Sequence, residues 1–214
     1  GSVLCVRWMN LHGRLLASGS DDHNIVVWTQ DTGPKASLRG FGETTDDVEK
    51  WKVIKVLRGH DSDVVDLAWS HDNRFLASAG LDSAVYIWDA KNFEKVKKIE
   101  AHTGFVKGIT WDPVGKYLAT ASDDKTLKIW RVSDWELEKE IGTPYALGSS
   151  ITFFRRLSWS PDGAHIATSN GENATLATAP VIGRDGWGSE INLVGHQGPV
   201  EVAVSAGVTV GSMF

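Results

Sequence analysis

A hydroxyl, an imidazole and a carboxylate recur in this chain at spacings that suggest hydrolytic chemistry. His60, Ser78 and Asp82 are the three side chains of a charge-relay triad, in which a carboxylate orients the imidazole that takes a proton from a nucleophile. Further along, the set returns as His102, Thr120 and Asp124. Both sets have gaps of 18 and then 4 residues, and a tryptophan follows 6 residues later, Trp88 or Trp130. A catalytic triad is needed once, so a set duplicated in register is expected to be structural. The same groups can form a four-membered network. The carboxylate accepts from the imidazole, the hydroxyl bridges to it, and the indole N–H donates to the hydroxyl, which satisfies polar groups that strand packing buries. Ser18, Asp22 and Trp28 form a partial copy, whose histidine would fall before residue 1. A fourth copy reads Ser150, Thr168, Glu172 and Thr178, without imidazole or indole, and its unit is expected to be the least rigid. No glycine-framed nucleophile elbow surrounds either complete set.

The elements that position these residues follow from the same period. Residues 16–28, 76–88 and 118–130 align, each opening on Leu-Ala and closing on tryptophan. A second tryptophan series is Trp8, Trp69, Trp111 and Trp159. Trp69 to Trp111, Trp88 to Trp130 and His60 to His102 are all 42 residues. A period of about 40–45 with Gly-His and Trp-Asp marks is the signature of WD40 repeats, four strands to each propeller blade. Gly59-His60, Gly195-His196 and Trp88-Asp89 keep those marks, while Ala101-His102, Trp28-Thr29 and Trp130-Arg131 vary them. Runs 64–69, 75–79, 84–88 and 95–99 are β-branched or aromatic, and polar turns separate them. In the last unit, 153–159 and 164–168 are expected to pair.

The fold class is therefore all-β, a partial WD40 β-propeller of about four blades and a stub. Units fall at 1–57, 58–99, 100–141, 142–193 and 194–214. A related WD propeller has seven blades, so the chain is expected to be a piece of a longer protein. Trp28 to Trp88 is 60 residues instead of 42 because an insertion at 29–50 carries Gly33-Pro34, Gly40, Gly42 and an acidic run at 43–49. A loop of that length is functional or disordered. The tail 202–214 bears no charged side chain and has Ser205 where the repeat puts tryptophan.

Composition narrows the function classes. The chain has 214 residues, 42% hydrophobic and 23% charged, with a formal net charge of −5. Lys95-Val96-Lys97-Lys98 is its one basic cluster and reads as a solvated strand face, so no phosphate-binding stripe is expected. No apolar run approaches 20 residues, and no secretory or transit pattern is present. Cys5 is the single cysteine, set in the apolar run 3–6, and is expected to be a buried inert thiol. No phosphate-binding glycine loop, Cys/His metal spacing or H-E-x-x-H is present, and no metal or cofactor is expected. The histidine loops and the aspartate turns share one propeller face. Asp21, Asp61, Asp63 and Asp123 there are expected to be free carboxylates, either a solvated surface or an acidic patch for a basic partner segment.

Finer residues carry a resemblance. Lys107-Gly-Ile-Thr-Trp-Asp-Pro-Val-Gly-Lys-Tyr-Leu118, Asp123-Asp-Lys-Thr-Leu-Lys-Ile-Trp-Arg131 and Asp134-Trp-Glu-Leu-Glu138 resemble the WD domain of the HIRA/Hir histone-regulator family. Arg156-Leu-Ser-Trp-Ser-Pro-Asp-Gly163, Arg184-Asp-Gly-Trp187, Val194-Gly-His196 and Glu49-Lys-Trp51 continue it, including residues such as Trp135 and Trp187 that lie outside the repeat marks. The chain departs from the family beyond Val202. The resemblance implies a non-enzymatic scaffold in a nuclear histone chaperone complex that assembles nucleosomes independently of replication and represses transcription, histone genes included. Its implied partners are other chaperone subunits and, through them, histones H3 and H4, with no direct DNA, membrane or small-molecule substrate. Trp51, Leu57-Arg-Gly-His60 and Thr110-Trp-Asp-Pro113 are also similar to the WD subunit of the replication-coupled chromatin assembly factor. A ubiquitin-ligase substrate receptor could use the same fold.

Overall fold

In the computed structural model, residues 1–10, 13–32, 50–148, 152–173 and 176–204 are described. Residues 33–49 of the insertion, Ser150 and the tail from 205 lie outside them. The first sheet is β1 (Val3–Trp8), β2 (Leu15–Ser20), β3 (Asn24–Gln30) and β4 (Trp51–Arg58), hydrogen-bonded in that order. The second is β5 (Val64–Trp69), β6 (Phe75–Gly80), β7 (Val85–Asp89) and β8 (Lys95–Ile99). The third is β9 (Val106–Trp111), β10 (Tyr117–Ser122), β11 (Leu127–Arg131) and β12 (Leu137–Ile141). Every pairing in these sheets is antiparallel between consecutive strands. No helix among the described residues is long and apolar enough to cross a membrane.

Side-chain character decides the order of strands. β5 and β9 are buried almost throughout, whereas β8 and β12 expose their lysines and glutamates. The apolar inner strand thus sits at the hub and the charged strand at the rim, which also protects the rim edge from pairing with another chain. The hairpin between the first two strands repeats one shape. Asn73, Gly115 and Gly163 hold its left-handed position, at φ 58°, 77° and 69°. Asparagine and glycine tolerate that region, other side chains poorly. Each third strand also slips register against its fourth just before its tryptophan, at Val27/Trp28, Ile87/Trp88 and Ile129/Trp130. Such bulges re-aim a side chain.

The insertion is shorter than its sequence limits. Thr29 and Gln30 belong to β3, paired with Lys52 and Trp51, because β4 is long enough to extend the ladder past Trp28. The fourth sheet departs further from the repeat. It contains β13 (Ser158–Trp159), β14 (His165–Ala167), β15 (Gly171–Asn173), β16 (Leu176–Gly183) and β17 (Ile191–Val194), ordered β13-β14-β16-β15 with β17 on β16. The expected strand at 153–159 is reduced to two residues. The backbone of Arg156 bonds Glu201 and Ala203 instead, and Asn170 N–H donates to Val200 O at 2.9 Å.

The apolar core is three seams between sheets. Cys5, Ile25, Val27, Leu57, Leu67, Trp69, Tyr86 and Trp88 fill the first. Ile87, Val106, Ile109, Trp111, Leu118 and Trp130 fill the second, and Ile129, Tyr145, Trp159, Ile166 and Ile182 the third. Each sheet therefore depends on its neighbour for burial. Cys5 is buried and its thiol is pushed up to about 12, chiefly by burial, which makes it a poor nucleophile.

Candidate functional site

The two complete polar sets come together in space. Trp88 Nε1–H donates to Ser78 Oγ at 3.0 Å, and Ser78 Oγ lies 2.8 Å from His60 Nε2. His60 Nδ1 lies 2.9 Å from Asp82 Oδ2. In the third sheet Trp130 Nε1–H donates to Thr120 Oγ1 at 2.9 Å, Thr120 is 2.8 Å from His102 Nε2, and His102 Nδ1 is 2.7 Å from Asp124. The arrangement that satisfies every group runs indole N–H to hydroxyl, hydroxyl to Nε2, and Nδ1–H to carboxylate. Each carboxylate then closes the corner by accepting backbone N–H groups, from Asp61 and Ala84 for Asp82 and from Thr103 and Thr126 for Asp124.

These are the bonds of a hydrolytic triad, but the hydroxyl is sealed. Ser78 and Thr120 are 0% exposed, and each already receives an indole proton. A scissile carbonyl has no approach to either oxygen. The imidazole side chains of His60 and His102 are equally enclosed. The hydrogen bonds from the paired histidines hold the Asp82 and Asp124 carboxyls below the ordinary carboxylate range, against the opposing effect of burial. In the first sheet Trp28 Nε1–H donates to Ser18 at 2.9 Å, while Asp22 has no histidine and accepts from Asn24. The fourth sheet keeps the hydroxyl by another route. Tyr145 O–H reaches Thr168 Oγ1 at 2.8 Å, and Thr168 donates to Pro180 O at 2.8 Å. Tyr145 stands on a short turn, Thr143–Tyr145, five residues before Ser150, so the repeat alignment passes over it.

Of the four turn aspartates, Asp61 is exposed and Asp63 half-buried, with neither carboxylate in an ion pair among the described residues. Asp21 accepts from Ser2 N–H at 2.6 Å. Asp123 is a correction, because it is not free. Lys107 Nζ lies 2.6 Å and Arg155 Nε 2.9 Å from its two oxygens, and all three side chains are largely buried. The cations come from equivalent repeat positions, Lys107 on β9 and Arg155 on the segment before β13, four residues before Trp111 and Trp159. Sequence alone could not show that they converge on the turn. At the hub, Asp66 is buried between Arg7, at 2.5 Å, and Arg156, at 3.7 Å, and burial pushes its carboxyl up.

The opposite face holds an aromatic latch. Phe93, Trp135 and Trp187 occupy the turn between the third and rim strands of successive sheets, at φ 61°, 62° and 57°. Trp135 meets Phe75 at 5.5 Å and Trp111 at 6.1 Å, edge to face. Trp187 meets Tyr117 at 5.2 Å and Trp159 at 6.2 Å. Phe93 packs on the first seam. Trp135 and Trp187 are thus repeat positions after all, each pinning its own inner tryptophan to the preceding sheet. Arg184 lies over Trp159 and Tyr117 and pairs with the buried Asp112, so Arg184 and Trp187 act on one seam.

Residues 1–144 match the model of the CAF1B/HIR1 β-propeller domain family. The chain belongs to that family. Its sequence is 55% identical over 203 residues to Protein HIR1 of Cryptococcus neoformans var. neoformans serotype D, covering 95% of this chain and 23% of the relative. It is 48% identical over 202 residues to Protein hir1 of Schizosaccharomyces pombe, covering 94% and 22%. This CAF1B/HIR1 propeller chain therefore spans under a quarter of the length of those relatives. The solved structure of U3-55K aligns at a TM-score of 0.68 over 94% of this chain and 54% of that one, at 20% identity, a likeness of fold alone.

Proposed function

We propose that this CAF1B/HIR1 propeller is a non-enzymatic docking platform of a nuclear histone chaperone assembly, working in replication-independent nucleosome assembly and transcriptional repression, histone genes included. The observation that carries the proposal is identity of 43–55% to proteins called HIR1 over nearly the whole chain. The sealed hydroxyls of Ser78 and Thr120 support the absence of hydrolysis. A net charge of −5 gives no footprint for phosphates, which supports partners that are protein. Those partners are other chaperone subunits, with histones H3 and H4 reached through them.

The test is affinity purification of the full-length protein from nuclear extract. Recovery of histone chaperone subunits, lost when the propeller is deleted, is the expected result. Recovery of ubiquitin-ligase subunits alone would sink the proposal. The family description also names CAF1B, so subunits of the replication-coupled assembly factor in the eluate would move the assignment to that branch.

A further inference from the structure

The fourth sheet presents an acceptor site that no described residue takes. In the second and third sheets the turn carboxylate is taken by a histidine, Asp82 by His60 and Asp124 by His102. Glu172 takes the corresponding repeat position in the fourth sheet, one methylene longer and on β15 opposite Ala177 instead of in a turn. The repeat has Ser150 where the histidine would stand, and Glu172 makes no hydrogen bond or ion pair with any described residue. Beside it Asn170 is 2% exposed and held at φ 59°. Its Nδ2 donates to Thr152 Oγ1 at 2.8 Å and to Phe154 O at 3.2 Å, which fixes the orientation of the amide. That leaves Oδ1 buried without a donor. A buried acceptor left unmatched is unfavourable, and an incoming donor would relieve it.

Asn170 and Glu172 line a cavity of about 260 Å³ together with Ala177, Gln197 and Pro199, and it is open to solvent on one side. The volume lies below the roughly 300–1,000 Å³ of small-molecule pockets, and suits one inserted side chain. Its lining residues are rich in acceptors: the carboxylate of Glu172, the amide of Gln197 and Asn170, whose Oδ1 is covered until the wall shifts. A protonated amine offers three donors and the opposite charge. Ala177 and Pro199 supply apolar surface for a methylene stem. The exposed 197–199 loop is the wall that can yield to admit it.

We infer that the Glu172–Asn170–Gln197 cavity receives a lysine side chain from a basic segment of a protein partner. The inference rests on the docking-platform proposal for the presence of such a partner, and it moves the recognition point from the scattered turn aspartates to one cavity.

The experiment uses the full-length protein with fluorescent octalysine and octaarginine peptides as probes, read by anisotropy. Glu172→Gln keeps the shape and removes the charge. Ala177→Leu fills the cavity and leaves the charge. Both should weaken octalysine binding about tenfold, the scale of one charge-assisted contact, with unchanged thermal melting. Asp61→Asn, on the same face, should change it less than about twofold, as exposed charges do. Carbodiimide coupling should join the probe to Glu172. Equal losses in the Glu172 and Asp61 variants, or a larger loss for octaarginine than for octalysine, would overturn the inference. If lysine binding depends on Glu172 while no chaperone subunit co-purifies, the cavity stands and the scaffold proposal fails. If subunits co-purify and the variants bind octalysine normally, the reverse holds.

Discussion

At the residue scale, the histidine network turns a catalytic-looking set into a corner brace. Asp124 and Asp82 have native carboxyls held below the ordinary range, so the unfolded chain binds more protons than the native one between the native value and about 4. Their contribution is complete above that window and is lost as pH falls through it. Asp124→Asn should therefore cost about 1–3 kcal/mol at pH 7, and the gap from the parent should shrink steadily below about pH 4. Chemical denaturation at stepped pH measures this, and a gap constant down to pH 2 would show that the carboxylate charge is irrelevant. Trp130→Ala should cost about 3–5 kcal/mol, as large aromatic truncations in a core do, and Trp28→Ala well under half that, because Trp28 is only half-buried. Matched urea melts of the two variants decide this, and equal losses would contradict it. The spacing of His60, Ser78, Asp82 and Trp88 made the brace legible in advance, since identical gaps recur in the next unit. The partners of Asp123 were not legible, because Lys107 on β9 and Arg155 on the segment before β13 are far apart in sequence and carry no mark of contact.

At the element scale, the strand order followed from period and side-chain character, but the latch did not. Phe93 and Trp135 each lie five residues after a network tryptophan, a spacing that by itself does not show which aromatic rings they meet. Trp187 lies nine residues after Thr178, so the lengthened β16 hides it from the alignment. The left-handed backbone at Trp135 gives a distinctive test. Glycine usually destabilises relative to alanine, but at φ 62° alanine carries the steric cost that glycine escapes. Trp135→Gly should therefore be more stable than Trp135→Ala by about 1 kcal/mol, while both lie well below the parent. Urea melts of the three proteins settle the order, and alanine ranking above glycine would contradict the latch backbone. The shortened β13 was also illegible. Its sequence is strand-like, yet the backbone of Arg156 spends its hydrogen bonds on Glu201 and Ala203.

At the scale of the whole molecule, two kinds of surface compete for partners. Val3, Val6 and Trp8 on the first sheet and Ile191, Leu193 and Val194 on the fourth are 45–59% exposed. The counterparts of the first three, Val64, Leu67 and Trp69 on β5 and Val106, Ile109 and Trp111 on β9, are buried in the seams. The 214-residue chain by itself should therefore self-associate in sedimentation, and a monomer at tens of micromolar would contradict that. The histidine face offers charge instead of apolar area. Asp61 and Asp63 flank the strand that enters the hub, and a basic segment laid across them gains mainly in association rate and specificity. One exposed charge contributes little, so the two must change together. In the full-length protein Asp61→Lys with Asp63→Lys should keep the fold, slow capture of a basic partner, and flatten the salt dependence of the parent interaction. Asp123→Lys must be kept out of that variant. It would leave Lys107 and Arg155 facing a third cation in a largely buried site, and breaking such a cluster costs about 3–5 kcal/mol. Measured alone, Asp123→Lys should fail by unfolding, seen as a lowered melting temperature before any loss of binding. The double variant should fail in association rate with its melting temperature intact. A double variant that captures every partner at the parent rate would remove Asp61 and Asp63 from recognition and leave docking to the Glu172 cavity, the rim strands or the apolar faces.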